Sequence, residues 1–275
     1  MRFALVNDKR IEAEPGLKGV CPGCAQPVNA KCGARRIHHW AHITDKKCDS
    51  WWEPETEWHR SWKNNFPDEW QELVLRDEQT GEKHIADLCT DYGLVIEFQH
   101  SHIHPPERTS REYFYKNMIW IVDGTRLKND YNRFLLNTNS HSRFVKQGMF
   151  LVGSPSECFP LDWIACSVPV VFDFQDYEPT NSDKNIETPL YCLFPNRIGQ
   201  SAVLTIWARN VFINTIINGD WSLWADNLTK DILQVKKEKE DQVARQRRQQ
   251  ENVAFTNFTR RSSLPRRTYK KSRRY

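Results

Sequence analysis

The stretch HIADLCTDYGLVIEFQHS, His84 to Ser101, reads as two short strands joined by a turn. Apolar and polar residues alternate over His84–Cys89 and again over Leu94–Gln99, and Thr90-Asp91-Tyr92-Gly93 between them has the composition of a hairpin turn. Side chains alternate across a strand, so Glu97 and Gln99 share one face while Ile96 and Phe98 take the other. Asp87 stands on the preceding strand, with Ala86 and Leu88 directed away from it. The hairpin thus presents two carboxylates and an amide together, an all-oxygen set of the kind that holds a hard divalent cation. A carboxylate on a strand is more often simply solvated; apolar flanks and adjoining strands favour the cation here.

Upstream, ETEWHRSWKNNF (Glu55–Phe66) has helical spacing. Glu55, His59 and Lys63 fall at i, i+4 and i+8 on one face, beside an apolar stripe of Trp58, Trp62 and Phe66. Pro54 suits a first helical turn and Pro67 ends the run. Gln71–Arg76 is expected as a first strand. After the hairpin comes a polar, aromatic helix over Pro106–Asn117, carrying Arg111, Tyr113 and Tyr115, and then a buried strand over Met118–Val122. A helix between two strands implies a parallel pair joined right-handedly, so the element order is αβββαβ.

Toward the N-terminus, Met1–Val6 is expected as a strand, followed by a turn at Pro15-Gly16. Cys21-Pro-Gly-Cys24 then places two thiols on one tight turn, with His39-Trp-Ala-His42 further along, Cys32 between and Cys48 beyond. A later His or Cys pair would close a tetrahedral zinc site. The usual spacing of that second pair is met by His38 and His42. Four filled positions make such a zinc structural, and in so small a module metal binding supplies much of the folding energy.

The chain has 275 residues and a formal net charge of +4. Of this, Lys236–Tyr275 supplies +10, leaving −6 for residues 1–235. A basic tail on a mildly acidic body is an electrostatic footprint suited to nucleic acid, and equally the composition of a solvated end. No apolar run is long enough to span a bilayer and MRFALVNDKR lacks a signal-peptide core, so a soluble, cytoplasmic protein is expected. Eight cysteines in that setting argue for thiols or metal ligands and against a disulfide frame.

The pattern Asp87…Glu97-x-Gln99 resembles a PD-(D/E)XK nuclease core in which Gln replaces the usual Lys, and HIADL followed by VIEFQHS is similar to the CoiA-like competence proteins. The resemblance spans roughly residues 20–123. It implies an α/β fold: a restriction-endonuclease-like αβββαβ core, a small N-terminal zinc-binding module and a mixed C-terminal region. It implies Asp87 and Glu97 as ligands of Mg²⁺ or Mn²⁺, with Gln99 and Glu55 completing the catalytic set and Glu57 a substitute for Glu55. His59, Lys63, His84, Arg111 and Tyr115 would support it. For zinc it points to Cys21, Cys24, His39 and His42, preferring His39 to His38. The implied activity is metal-dependent DNA hydrolysis in bacterial DNA uptake, recombination or processing, with DNA and a recombination protein as partners. A non-cleaving DNA-binding or partner-docking protein on the same scaffold is the alternative, because Gln99 stands where Lys is usual.

The expected divisions are a zinc module at 1–50, the core at 51–124, a region at 125–235 without an assigned role, and a basic helix and tail at 236–275. Within the third, Phe134–Val152 and Cys158–Phe174 read as strands and short loops, with further strands near Ser167–Asp173 and Leu190–Phe194. Asn210–Asp226 is aromatic and expected to pack on the core; Leu228–Asn252 is expected as an exposed helix. Glu178–Thr188 reads as a loop and Arg260 onward as disordered. Cys158, Cys166 and Cys192 lack metal spacing and are expected as buried thiols. His100, His102 and His104 cluster at the mouth of the hairpin site.

Overall fold

A computed structural model describes residues 1–44, 48–127, 129–146, 148–175 and 189–262. The loop expected at 178–188 and the tail beyond 262 lie outside them. Five strands come first: β1 (Phe3–Val6), β2 (Lys9–Glu12), β3 (Lys18–Val20), β4 (Pro27–Lys31) and β5 (His39–His42). They form an antiparallel sheet in the order β2-β1-β3-β4-β5. Met1, Ala4, Ala13, Cys21, Val28 and Trp40 make its small core, and the Trp40 indole donates to the Ile11 carbonyl at 3.0 Å.

Next come α1 (Glu57–Lys63), a 3₁₀ turn (Asp68–Trp70), β6 (Gln71–Arg76), β7 (Lys83–Cys89), β8 (Val95–Gln99), α2 (Pro105–Tyr115) and β9 (Met118–Asp123). The expected helix–three strands–helix–strand order is present, and β8 pairs with β9 in parallel. The chain continues through α3 (Asp130–His141), β10 (Ser142–Lys146), β11 (Met149–Val152), α4 (Pro155–Cys158), α5 (Leu161–Ile164), β12 (Val170–Asp173), β13 (Pro189–Ile198), β14 (Ser201–Ala208), α6 (Arg209–Ile217) and α7 (Trp221–Ser262).

Strands β6 to β14 build one nine-stranded sheet, ordered β10-β11-β14-β13-β12-β9-β8-β7-β6. Its centre is the parallel trio β8, β9 and β12; the other pairings are antiparallel. Every residue of those three strands is buried, as parallel strands covered on both faces must be. On one face Val95, Trp120, Phe172 and Tyr191 meet Tyr115 of α2 and Phe134 of α3. On the other, Phe98 stacks on Trp62 of α1, and Arg209 at the start of α6 lies over that same indole. The sheet therefore crosses the expected boundary at 124 and takes five of its strands from beyond it.

Two expectations for this region need correction. Phe134–His141 is helical: Tyr131, Phe134 and Thr138 recur at i, i+3 and i+7 and are the buried positions among the described side chains of α3. Pro160 likewise leads into a short helix, Leu161–Ile164, within a stretch expected as strands and short loops. Met1–Trp224 forms one compact unit and Ala225–Tyr275 a second. Within the second, α7 is exposed from Asp241 to Asn252, as expected of its charged sequence.

Candidate functional site

Strands β7 and β8 pair only at Leu88–Ile96 and Cys89–Val95, next to their turn, and then diverge. Two carboxylates fill the opening. Asp87 N–H donates to Glu97 Oε1 at 3.1 Å, and Phe98 N–H donates to Asp87 Oδ2 at 3.1 Å. Side chains thus take over hydrogen bonds that a continued ladder would have made. Each neighbouring helix sends in one cation. Lys63 Nζ from α1 lies 2.9 Å from Asp87 Oδ1, and Arg111 from α2 lies 3.0 Å from Glu97 Oε2.

The positions of those cations are themselves built from local sequence. Thr56 caps α1, and His59 closes a capping box by accepting the Thr56 N–H on Nδ1. Its Nε2 then donates to the Phe98 carbonyl at 3.0 Å, which pins the helix to β8 one turn before Lys63. Burial, with Lys63 adding to it, holds the His59 imidazole below its ordinary pKa, so it works as a neutral tie. Glu55 precedes the cap instead of belonging to the helix, yet it lines the same cavity and lies 3.6 Å from Lys63. Glu57 is exposed and faces elsewhere, so Glu55 is the relevant acid.

The cavity encloses about 70 Å³ and is lined by six carboxylates: Asp49, Glu53, Glu55, Glu72, Asp87 and Glu97. Lys63 and Arg111 are the Lys and Arg side chains among its described lining. Burial works against every charge there, and partners decide the outcome. Asp87 stays below its ordinary range: burial raises it, but the Lys63 ammonium and the Phe98 amide outweigh that. Glu72 falls to about 2 despite burial, through Lys63 and the amides of Arg2 and Phe3. Glu97 goes the other way. Burial and the adjacent Asp87 charge push it up to about 8, only partly offset by Arg111. Lys63, in contact with Asp87, Glu72 and Glu55, is held above its ordinary range against burial.

Gln99 is 1 % exposed. Its amide N–H groups donate to Glu53 Oε1 at 2.8 Å and to the Ser101 carbonyl at 3.1 Å. Its Oε1 has no partner among the described residues, a rare state for a buried acceptor. The cavity thus holds an excess of negative charge, a carboxyl kept protonated at neutral pH and an orphaned oxygen. A cation would answer all three, though the carboxylates do not gather to ligating distance as a set. Among the described residues only one group of three or more Cys, His or acidic side chains does so.

That group is Cys21, Cys24, His42 and Cys48, whose ligand atoms lie within 4.8 Å of one another. The expected zinc set is corrected at one position: Cys48 replaces His39. On β5 side chains alternate, so His39 and His42 point to opposite faces and cannot share an ion. His39 instead turns Nδ1 to the Ile37 carbonyl at 2.8 Å. Cys24 Sγ lies 3.2 Å from His42 Nε2, and Cys21 Sγ lies 3.7 Å from Cys48 Sγ. Burial and the neighbouring Cys21 push the Cys48 thiol up to about 12, while burial keeps His42 neutral. Three thiols and one imidazole fit tetrahedral zinc, whose charge would ionise those thiols. Cys32 stands apart, directed at the Ala13 carbonyl.

Of the remaining expected residues, His84 and Tyr115 lie outside the cavity lining. His84 faces away from Asp87, is bonded to Asp49 and Glu82 at 2.9 Å each, and stacks on Trp51. Its partner Asp49 also accepts the Ile85 N–H at 2.7 Å, and so fastens the segment after Cys48 to β7. Tyr115 packs edge-on against Trp51 and Phe114 in the core. His100 bonds Asp123 at 2.7 Å, and His102 lies 3.5 Å from Asp162. The cavity residues not anticipated are Asp49, Glu53 and Glu72. Glu72 carries a left-handed φ of 47° that aims its carboxylate at the amides of Arg2 and Phe3, and no sequence spacing announces such a turn.

Residues 10–50 match the family model described as competence protein CoiA, N-terminal domain. The N-terminal sheet is thus similar to the CoiA N-terminal domain. The match contains all four thiol-cluster ligands and ends before α1, β7 and β8. The CoiA-like module is therefore the zinc-fitting sheet, and the carboxylate cavity lies almost wholly in chain that follows it. No curated protein and no solved structure matches the chain. Among the described residues no helix is long and apolar enough to cross a membrane.

Proposed function

We propose that the carboxylate cavity is the centre of a metal-dependent DNA nuclease acting in a competence-related role. The observation that carries this reading is the meeting of Asp87 and Glu97 in the opening between β7 and β8, with the Lys63 ammonium 2.9 Å from Asp87. The element order α1-β6-β7-β8-α2-β9, with its parallel β8–β9 pair, supports a restriction-endonuclease-like core. The CoiA-like module supports the setting.

Asp87, Glu97 and the orphaned Gln99 Oε1 would hold Mg²⁺ or Mn²⁺, which when bound lowers the pKa of a coordinated water and offsets charge on the scissile phosphate. Loading requires Glu97 to give up its proton, and Arg111 keeps the resulting carboxylate oriented. Lys63 supplies the ammonium that Gln99 lacks: it reaches the site from α1 instead of from β8. Freed from Asp87, it is placed to stabilise charge on the attacked phosphate. Glu53 and Ser101 take the Gln99 amide N–H groups and so fix the side chain that carries the orphaned oxygen.

The alternative is a DNA-binding protein that does not cut. It is favoured by the same ammonium, which already neutralises Asp87 in the absence of metal. A panel of labelled single-stranded, duplex and branched DNA, with Mg²⁺, Mn²⁺ or neither, separates the two. Metal-dependent cutting that falls by about a thousandfold in Asp87→Ala or Glu97→Ala is the expected result. Binding without cutting, equal in wild type and variants, would establish the alternative.

A further inference from the structure

The CoiA-like sheet bears a feature that zinc alone does not explain. The β4–β5 connection carries Arg35 and Arg36, both exposed, and faces the segment Trp52–Glu57 across a groove of about 400 Å³. Groove and carboxylate cavity have Met1, Trp52, Pro54 and Glu55 in common, so the two adjoin. No ion pair engages Arg35 or Arg36 among the described residues, whereas neighbouring Arg60 is held by Glu55 and Glu12. Trp52 lines the groove with 40 % of its surface exposed. Paired guanidiniums and an indole at one rim are the elements that hold a polynucleotide: the planar fork matches phosphate oxygens and the ring stacks on any base.

Resting on the nuclease reading, we propose that this groove is the approach along which a single polynucleotide strand reaches the carboxylates. Arg35 and Arg36 would engage its phosphates and Trp52 a base. The depth of the acids argues for a single strand. The Glu97 side chain is 4 % exposed and that of Asp87 25 %, at the bottom of a cavity of about 70 Å³. A stiff duplex cannot lower one phosphate that far without unpairing, while a flexible strand can. The arginines line the β4–β5 side of the groove, opposite exposed Glu57, while the inner cavity is lined by six carboxylates. A strand is therefore gripped outside and drawn to the phosphate-cleaving end only when a divalent cation is present there. The β4–β5 connection lies four residues before the ligand His42, so zinc would hold the arginines in place.

The test is equilibrium binding of fluorescein-labelled oligodeoxythymidylate, oligouridylate and a blunt DNA duplex to the zinc-loaded full chain, with no magnesium added. Wild type should bind a single strand more tightly than the duplex, the two oligomers showing which sugar is accepted. The Arg35→Ala, Arg36→Ala double variant should lose about tenfold in single-strand affinity, and its salt slope should fall by about 1.4 in magnitude, roughly 0.7 for each phosphate no longer neutralised. Trp52→Ala should weaken binding about fivefold with the slope unchanged. Zinc content and melting temperature, measured beside these, should match wild type for the exposed arginines. Unaltered single-strand affinity and slope in the double variant would overturn the proposal, as would a preference for duplex. Failure of the nuclease reading looks different: a wild type that never cuts, with single-strand binding that still depends on Arg35 and Arg36.

Discussion

Glu97 keeps a proton at neutral pH because it is buried beside an ionised Asp87, and this gives stability a definite pH dependence. Its carboxyl titrates at about 8 in the folded chain and near 4.3 when unfolded. Between those values the folded state holds a proton the unfolded state has lost. Without divalent metal, this group makes stability fall as pH rises through that window and level off above it. Urea midpoints from pH 5 to 9 should show the decline, and Glu97→Gln should flatten it. Adding Mg²⁺ at pH 8 should restore wild-type stability but not that of the variant, a readout of the cation site that needs no cleavage. Lys63 carries the complementary prediction. Lys63→Met leaves Asp87, Glu72 and Glu55 facing one another with their shared cation gone. Removing one partner of a buried ion network costs about 3–5 kcal/mol, measurable as a lowered urea midpoint at pH 7. If Lys63→Met matched wild type, the ion network would have no part in stability.

At the scale of elements, α1 and β5 each set the position of a functional group. Thr56→Ala removes the cap of α1 and should cost about 1 kcal/mol. His59→Ala also abandons the buried Phe98 carbonyl, and should cost about 2–3 kcal/mol. Both effects should appear in chemical denaturation; on the proposed nuclease reading, the larger should also slow cleavage, because Lys63 loses its anchor to β8. For β5 the alternation of the strand makes a sharp distinction. Cys48→Ser should reduce zinc per chain well below one, and His39→Ala should leave it unchanged, by elemental analysis of the purified proteins. The hairpin, its Asp87 and Glu97, and the parallel β8–β9 pair were legible because period and turn chemistry are local. Cys48 was visible but unplaced: choosing it over His39 needs to know that His39–His42 is a strand. Glu72 was not legible, since its carboxylate is aimed by its own left-handed backbone within β6 at amides of the separate N-terminal sheet.

Over the whole molecule, the sequence pointed to a core ending near 124, whereas the sheet runs on through β14. The reason is physical. Once β8 and β9 lie in parallel, β9 still has an unpaired edge, and β12 covers it from 47 residues downstream, pairing Val170–Asp173 with Trp120–Asp123. No periodicity within either strand reveals that partnership. It also places Asp173 beneath α1, where the Trp58 and Trp62 indoles each donate to its Oδ2 at 2.9 Å and Arg209 pairs with it. Asp173→Ala should destabilise the chain by about 3–5 kcal/mol, although the residue lies far along the sequence from the acids of the cavity. A loss below 1 kcal/mol in urea denaturation would show that the second half of the sheet does not support α1.

The strand order also imposes a schedule on synthesis. β11 lies between β10 and β14, yet its partner Ala202–Thr205 follows Met149–Val152 by about 50 residues. At about 5–20 residues per second, the ribosome leaves the MFLV edge of β11 without its neighbour for roughly 3–10 seconds. That interval is when this chain most needs a chaperone, and nascent chains stalled before Ser201 are the ones it should retain.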